Sequence, residues 1–446
     1  GFHSSSSDEL CARWHILGSF YPFSRNHNVD TGLPQEPWEF NRLSRFENRD
    51  DSNRPKEGYT LHAAKIGIKM RYSLMRYAYT QLMKISTGEK GAYFKPAFFE
   101  FPEDDTLLND MNVQNSHIMV GDSIYFIPCL NRDQKKYEGY FPNANFNSIV
   151  NFKRILSYTE NTKEGVFLNL DGNFTAINAY LRGGKIIPFQ NTQKVYNSRD
   201  LRFKPISLII NPDHKKYSEG SVIYDNDNKD VIKNSDYMDI FIKLENNIIN
   251  FEVKNMPKSD NNQKYTDNKV ESVIILRTKE LEINTKKVNL LLNDGKEFEI
   301  SDIIYDEESD YMKISFNIEY EIQNLKSIRL LSKSQINENN INNAPKNENN
   351  INDVPKNESN INNNQSNNNQ NKNKENNLQK SNANKNNQTS VQNGQIKSNH
   401  AKLVLVKILI CLIFLMLSII IILFVRIKSL QKRRSNYVEL TGLDSI

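Results

Sequence analysis

Three pairs of adjacent acidic residues are the first candidates for acid–base chemistry: Asp50-Asp51, Asp104-Asp105 and Glu307-Glu308. A carboxylate nucleophile and its acid/base partner work together at about 5–5.5 Å. Neighbouring side chains point to opposite sides of a strand or diverge in a loop. No pair is therefore expected to form a dyad, and all three are read as solvated charge. Asp225-Asn226-Asp227-Asn228-Lys229-Asp230 begins like a calcium loop. Lys229 stands where the fifth position needs a ligand and Asp230 where the sixth needs glycine, so the segment reads as a hairpin tip. Cys11, Cys129 and Cys411 have no metal-ligand spacing and make no disulfide framework. Neither a metal nor a cofactor is expected. Asn173-Phe174-Thr175 is an N-glycosylation sequon, and Asn357, Asn364 and Asn387 begin others; they matter only if this part of the chain is lumenal. In Arg25-Asn26-His27-Asn28, a neutral imidazole offers one donor and one acceptor, which suits recognition of a hydroxyl group from two sides.

The surroundings of that histidine are closely patterned. Gly1-Phe2, Cys11-Ala12-Arg13-Trp14, Gly18 to Asn28, and Gln35-Glu36-Pro37-Trp38 follow one another. In order and spacing they resemble the late part of the catalytic barrel of family 31 glycoside hydrolases, the α-glucosidases. Further on, Arg71 to Tyr79 resembles the family's last barrel helix, with Arg76 in place of a proline, and Phe98 to Asp104 its Leu-Phe-x-Glu-Phe-Pro-x-Asp. Arg182-Gly183-Gly184-Lys185-Ile186-Ile187-Pro188 looks like its Arg-Gly-Gly-x-Ile-x-Pro strand pair. The resemblance implies that His27 hydrogen-bonds hydroxyls of the terminal glucose and that Phe2 lines the sugar pocket. Arg25 would hold neighbouring carboxylates or form a purely structural ion pair. It also implies that the nucleophile and acid/base aspartates both lie before Gly1, so that this chain holds no catalytic residue. His3 and Ser4 to Ser7 depart from the family's Phe-Gly-Asn loop, and Lys95 stands where the family prefers arginine.

These residues need elements to hold them. Ser6-Ser7-Asp8-Glu9 is a capping-box start for a short helix with Leu10, Trp14 and Leu17 as its apolar stripe. A second helix is expected from Leu61 to Lys84, with Leu61, Ala64, Ile68, Tyr72, Met75, Tyr79 and Leu82 inward. Beyond Ser198 the chain reads as hairpins, Met238–Val253 turning at Asn246-Asn247 and Val288–Ile300 turning at Asn293-Asp294-Gly295, with further strands at Val270–Arg277 and Met312–Ile322.

A length of 446 residues allows two or three domains and accessory segments. The net charge of +5 is small, and much of the basic excess lies near the C-terminus, so nucleic-acid binding has no support. From Lys333 to His400 the chain is rich in Asn, Lys and Gln, and Ile341 to Glu348 recurs at Ile351 to Glu358. That composition cannot bury a core and reads as a disordered stalk, or as base bias without function. Ile408 to Val425 is apolar except for Ser418; as a helix it spans roughly 27 Å, close to a bilayer's hydrocarbon thickness. Arg426, Lys428, Lys432, Arg433 and Arg434 follow it, which puts the tail in the cytoplasm. Tyr437-Val438-Glu439-Leu440 fits a tyrosine-based sorting signal, a pattern also common by chance.

The expected fold is α/β plus all-β: the C-terminal end of a (β/α)8 TIM barrel (1–90), a proximal β-sandwich (91–195) and a distal one (196–332). A disordered Asn-rich linker (333–401), one transmembrane helix (402–425) and a cytoplasmic tail (426–446) complete it. The expected function is that of an α-glucosidase-like hydrolase releasing glucose from non-reducing ends of α-glucans or maltooligosaccharides. Its partners are an oligosaccharide with α-linked glucose and a lipid bilayer. The protein is expected to be single-pass, with its catalytic side extracellular or lumenal, in the plasma membrane or an endolysosomal or vacuolar membrane. The alternatives are a glycan-trimming glucosidase of the endoplasmic reticulum, against which Asn26 speaks because that branch has Arg-Ala-His, or a membrane-tethered sugar-binding protein with a dead barrel.

Overall fold

The computed structural model describes residues 6–41, 58–89, 91–225, 229–257 and 268–332. Phe2, Asp50-Asp51, the stalk with Asn357, Asn364 and Asn387, the apolar segment 402–425 and the tail lie outside them. Among the described residues no helix is long and apolar enough to cross a membrane.

Helix α1 (Asp8–Gly18) starts where Ser7 predicts: its hydroxyl accepts from the Leu10 amide at 3.2 Å, and Asp8 and Glu9 face the positive end of the helix. The buried side, however, is Cys11, Ala12, Ile16 and Leu17, while Leu10 and Trp14 are 44% and 54% exposed. The expected long helix is two, α2 (Tyr59–Ser73) and α3 (Met75–Ser86), parted at Leu74 with φ −94° and ψ 2°. Their buried side is Ala63, Gly67, Met70, Leu74, Tyr77, Thr80 and Met83. The anticipated stripe is thus displaced, with Ile68 53% and Leu82 39% exposed. Close packing, not hydrophobicity, selected the face. A Cβ on Gly67 would stand 2.9 Å from the His15 carbonyl oxygen of α1, so only glycine lets the helices approach so near. Asp8 adds a second tie. Gly58 offers α2 no capping side chain, and the Asp8 carboxylate instead accepts from the Tyr59 and Thr60 amides and the Thr60 hydroxyl (3.1, 2.8 and 2.7 Å).

The chain then turns to strands: β1 (Phe94–Pro96), β2 (Ile118–Val120), β3 (Ile124–Phe126), β4 (Lys136–Phe141), β5 (Phe146–Ser148), β6 (Arg154–Leu156), β7 (Val166–Asp171) and β8 (Ala179–Arg182). Six form a sheet in the order β1-β2-β3-β8-β5-β6, and β4 pairs with β7 as a separate ribbon. Aromatic rings fill the space between: Tyr125, Phe141, Phe146 and Tyr180 meet at centroid distances of 4.9–5.6 Å. His117 is buried there, with Nε2 accepting from the Tyr140 amide at 2.8 Å and Nδ1 bonded to the Val113 carbonyl at 3.0 Å. Burial lowers its pKa to about 4.

Gly183 and Gly184 carry the chain out of this sheet, so β8 and the following strand, read from the sequence as a pair, do not pair with each other. Gly184 has φ +82°, and a Cβ on Gly183 would lie 2.6 Å from that of Asn145. The second sheet comprises β9 (Lys185–Gln190), β10 (Ile206–Asn211), β11 (Ser218–Asp225), β12 (Tyr237–Glu245), β13 (Ile248–Asn255), β14 (Lys269–Leu276), β15 (Ile283–Leu292), β16 (Glu297–Ile300), β17 (Ile303–Asp306), β18 (Tyr311–Glu321) and β19 (Leu325–Ser332). Their order is β16-β15-β19-β13-β12-β11-β9-β10-β14-β18-β17. The β12–β13 hairpin turns at Asn246-Asn247, both with positive φ (53° and 58°), as a two-residue turn demands. Both arms of the sheet close on one core, which joins Leu290 of β15 to Ile314 of β18. The central strands β9, β10 and β14 are buried on both faces. Ile210 and Val273 enter that core, while Ile187, Ile209 and Ile274 enter a second one with α1, α2, α3, β2 and β3. Strands sheltered on both sides carry continuous apolar runs, as Val273 to Leu276 does.

Candidate functional site

Loop 21–36 leaves α1 under the control of one arginine. Arg71 of α2 donates through one terminal nitrogen to the carbonyls of Gly18 and Ser19 (both 3.4 Å) and of Tyr21 (2.5 Å), and through the other to Pro22 (3.0 Å). A helix end leaves such carbonyls unsatisfied. Tyr21 packs edge-on against Phe94 at 4.8 Å, and burial raises the Tyr93 hydroxyl to about 12 against the lowering pull of the Arg71 charge.

Beyond Pro22, alternate side chains divide the work. Asn26 donates to the Gln35 carbonyl at 2.8 Å, and Asn28 donates to the Leu33 carbonyl at 2.5 Å. The Asn28 side-chain oxygen accepts from the Val29 amide (2.9 Å) and from Gln35 Nε2 (3.2 Å), and Gln35 is 3% exposed. These bonds fold the loop onto itself. Arg25 and His27 are exposed, with Arg25 Nη2 3.0 Å from His27 Nδ1. A guanidinium only donates, so Nδ1 is the acceptor and the ring hydrogen is on Nε2, a donor. The structure thus brings together two of the three sugar-site residues expected from the sequence; the third, Phe2, lies outside the described residues.

The other expected groups are elsewhere. Asn173 is exposed in a turn closed by the Ala176 amide bonding to its carbonyl at 3.0 Å. Glu307 and Glu308 are exposed, but Asp104, expected to be solvated, is 6% exposed. It caps a short helix by accepting from the Leu107 amide at 3.0 Å and accepts the Tyr140 hydroxyl at 2.8 Å. Its neighbour Asp105 is exposed on that helix, so the two do not converge. Asp225, read as the start of a hairpin tip, ends β11; its carboxylate is held by the Tyr79 hydroxyl and by Arg202 (3.5 Å), and a short helix (Val231–Asn234) follows before β12. Among the described residues no group of His, Cys, Asp and Glu has the arrangement of a metal site. Lys95 shares Glu100 with Arg182: Lys95 Nζ lies 2.6 Å from one oxygen and Arg182 Nη1 2.8 Å from the other. Sequence reasoning gave no role to Arg71, Gln35 or Asn26. The signal for each was its place inside a patterned stretch, but Arg71 and Asn26 bind backbone carbonyls and Gln35 binds the Asn28 side-chain oxygen, pairings that no residue pattern displays.

The family-31 glycosyl hydrolase TIM-barrel model matches residues 1–81, and the family-31 C-terminal-domain model matches residues 91–187. The chain belongs to glycoside hydrolase family 31, of which it carries a C-terminal portion. A probable alpha/beta-glucosidase of Aspergillus clavatus is 31% identical over 233 residues, 50% of this chain and 22% of that protein. The alpha-glucosidase of Mucor javanicus is 29% identical over 237 residues, 53% of this chain and 24% of that protein. The lysosomal alpha-glucosidase of Rattus norvegicus is 26% identical over 262 residues, 56% and 25% respectively. The chain therefore spans about a quarter or less of the length of these relatives. Among solved structures, the catalytic subunit in the ER glucosidase II heterodimer superposes with a TM-score of 0.61 at 16% identity, covering 74% of this chain and 33% of that one. At that identity the likeness is one of fold.

Proposed function

We propose that the protein to which this family-31 portion belongs is a retaining α-glucosidase that releases glucose from the non-reducing ends of α-glucans or maltooligosaccharides. The observation that carries the reading is the exposed Arg25–His27 pair on a loop folded by its own asparagines, within the stretch matched to the family barrel. In this reading, which the family resemblance supports, His27 hydrogen-bonds hydroxyls of the terminal glucose and Phe2 lines the sugar pocket. The relatives' names as α-glucosidases support the same substrate class. Asn26 counts against the glycan-trimming alternative, because its amide is spent on the Gln35 carbonyl and an alanine has no such bond to give. In the full-length gene product, His27→Ala removes hydrogen bonds worth roughly 1–3 kcal/mol, so kcat/KM on maltose falls about ten- to a hundredfold. Folding is nearly untouched, since the side chain is exposed. Unchanged kinetics per folded molecule would remove His27 from the sugar site. A full-length protein that binds maltose and never cleaves it would establish the tethered sugar-binding alternative.

We also propose that segment 402–425 spans a membrane once, with the catalytic side lumenal or extracellular and a cytoplasmic tail, in the plasma membrane or an endolysosomal or vacuolar one. The support is the apolar run Ile408–Val425 with Arg426, Lys428, Lys432, Arg433 and Arg434 after it, and the exposed sequon at Asn173 before it. Protease added to intact cells should spare an epitope at Ile446, and Asn173 should carry a glycan. A glycan at Asn173 together with a lumenal C-terminus would contradict this topology.

A further inference from the structure

We propose that Arg71 is a positioning residue for sugar recognition, holding the base of the loop that presents Arg25 and His27; this rests on the reading of His27 as a sugar ligand. Arg71 is anchored before it acts. Its helix is fixed to α1 through the Asp8 carboxylate on Thr60 and the close approach at Gly67. From that fixed point the guanidinium gathers the carbonyls of Gly18, Ser19, Tyr21 and Pro22, spanning the end of α1 and the first residues of the loop. A planar fork with several donors can serve these acceptors together, and its charge complements the negative helix end. Immediately beyond the clamp the side chains turn outward: Phe23 is 75% exposed, and Arg25 and His27 are exposed too. The Asn26 and Asn28 side-chain bonds reach to Val29, Leu33 and Gln35, all within the same loop. They shape the loop, whereas Arg71 ties it to the helical frame. Loss of the tie should move the loop as a unit and carry His27 with it.

The test uses the full-length gene product with Arg71→Ala, Arg71→Lys, His27→Ala and the double variant Arg71→Ala/His27→Ala. Kinetics on maltose are normalised to folded protein, and amide exchange is followed over residues 19–28. Arg71→Ala should lower kcat/KM by on the order of ten- to a hundredfold, as small misplacements of binding groups do. Arg71→Lys should recover part of that, because it keeps the charge and loses the fork. In the His27→Ala background the further loss should shrink to about threefold or less, since both changes act on one interaction. Exchange over 19–28 should accelerate in Arg71→Ala and stay as in the parent in His27→Ala. A purely capping role would show instead as a lowered Tm with kcat/KM per folded molecule within about twofold of the parent, or as losses that multiply in the double variant; either result overturns the proposal. If His27→Ala alone leaves the kinetics unchanged, the sugar reading of His27 fails, and the exchange data still decide whether Arg71 holds the loop.

Discussion

Arg277→Ala is expected to lower the protein's stability by about 3–5 kcal/mol, because it removes the buried member of an ionic cluster and leaves a buried amide oxygen and two backbone carbonyls without their donor. Arg277 is fully buried. Its Nε donates to Asn147 Oδ1 (2.7 Å), Nη1 to Ser157 Oγ (2.9 Å) and Glu280 Oε1 (3.2 Å), and Nη2 to the carbonyls of Phe146 (3.2 Å) and Leu156. Its backbone, left-handed at φ 55°, gives its amide to the Asp310 carbonyl at 2.8 Å. The Asp310 carboxylate accepts from the Thr278 hydroxyl (2.8 Å), the Lys279 amide (3.0 Å) and Arg154 (2.8 Å), and Arg154 reaches Glu280 at 2.8 Å. The cluster thus fastens β5 and β6 of the smaller sheet to the ends of β14 and β18 in the larger. Burial pushes the Arg277 pKa down to about 10, with Glu280 pulling it back up, so the group stays charged at neutral pH. With alanine in its place, the buried Asn147 oxygen and two carbonyls lose their donor. Lysine keeps the charge without the fork and should fall between. In thermal denaturation Arg277→Ala should melt about 10 °C lower than the parent. Arg132→Ala, at a pair with Asp133 that is 70% and 77% exposed, should change stability by less than about 0.5 kcal/mol. A melting point for Arg277→Ala within about 2 °C of the parent would show that the sheets hold together without the cluster.

That cluster marks where sequence reading stops. Local signals were legible: the Ser7 cap, the hairpin at Asn246-Asn247 and the alternation along β12 each depend on residues close in the chain. The strand expected over Val270–Arg277 stops at Leu276, and nothing there announces that Arg277 turns left-handed and buries a guanidinium among partners more than a hundred positions away. The helices failed for a related reason. Periodicity finds the most apolar face, and α2 packs through its smallest one, because Ala63 and Gly67 let α1 come close while Ile68 stays outside. At the candidate site the residues that present hydrogen-bonding groups, Arg25 and His27, were visible through the family motif. Those that hold the loop were not, since Arg71, Asn26 and Asn28 all bind carbonyl oxygens.

Expressed by itself, the chain should hydrolyse no α-glucoside at all. Retaining hydrolysis needs a nucleophile and an acid/base held about 5–5.5 Å apart. Among the acidic pairs within the described residues, Asp104 is consumed as a helix cap, while Asp105, Glu307 and Glu308 are exposed. We propose, from the family resemblance, that both catalytic aspartates precede Gly1 in the gene product; the relatives are four to five times longer than the stretch they share with this chain. The helical part also presents apolar surface: Leu10, Trp14, Leu33, Trp38, Ile68 and Leu82 are each at least 39% exposed. Among the described residues 6–89 no strand is formed. Residues 1–89 should therefore aggregate when expressed apart from the rest of a barrel, while residues 91–332 keep two cores of their own but lose the helices that cover Ile187, Ile209 and Ile274, and should fold with reduced stability. Joining the upstream half of the gene product should give activity on maltose or an aryl α-glucoside, and replacing either upstream aspartate by asparagine should abolish it. Heat-labile hydrolysis by purified residues 1–332, or an active full-length product without those aspartates, would mean that the catalytic carboxyls lie within this chain.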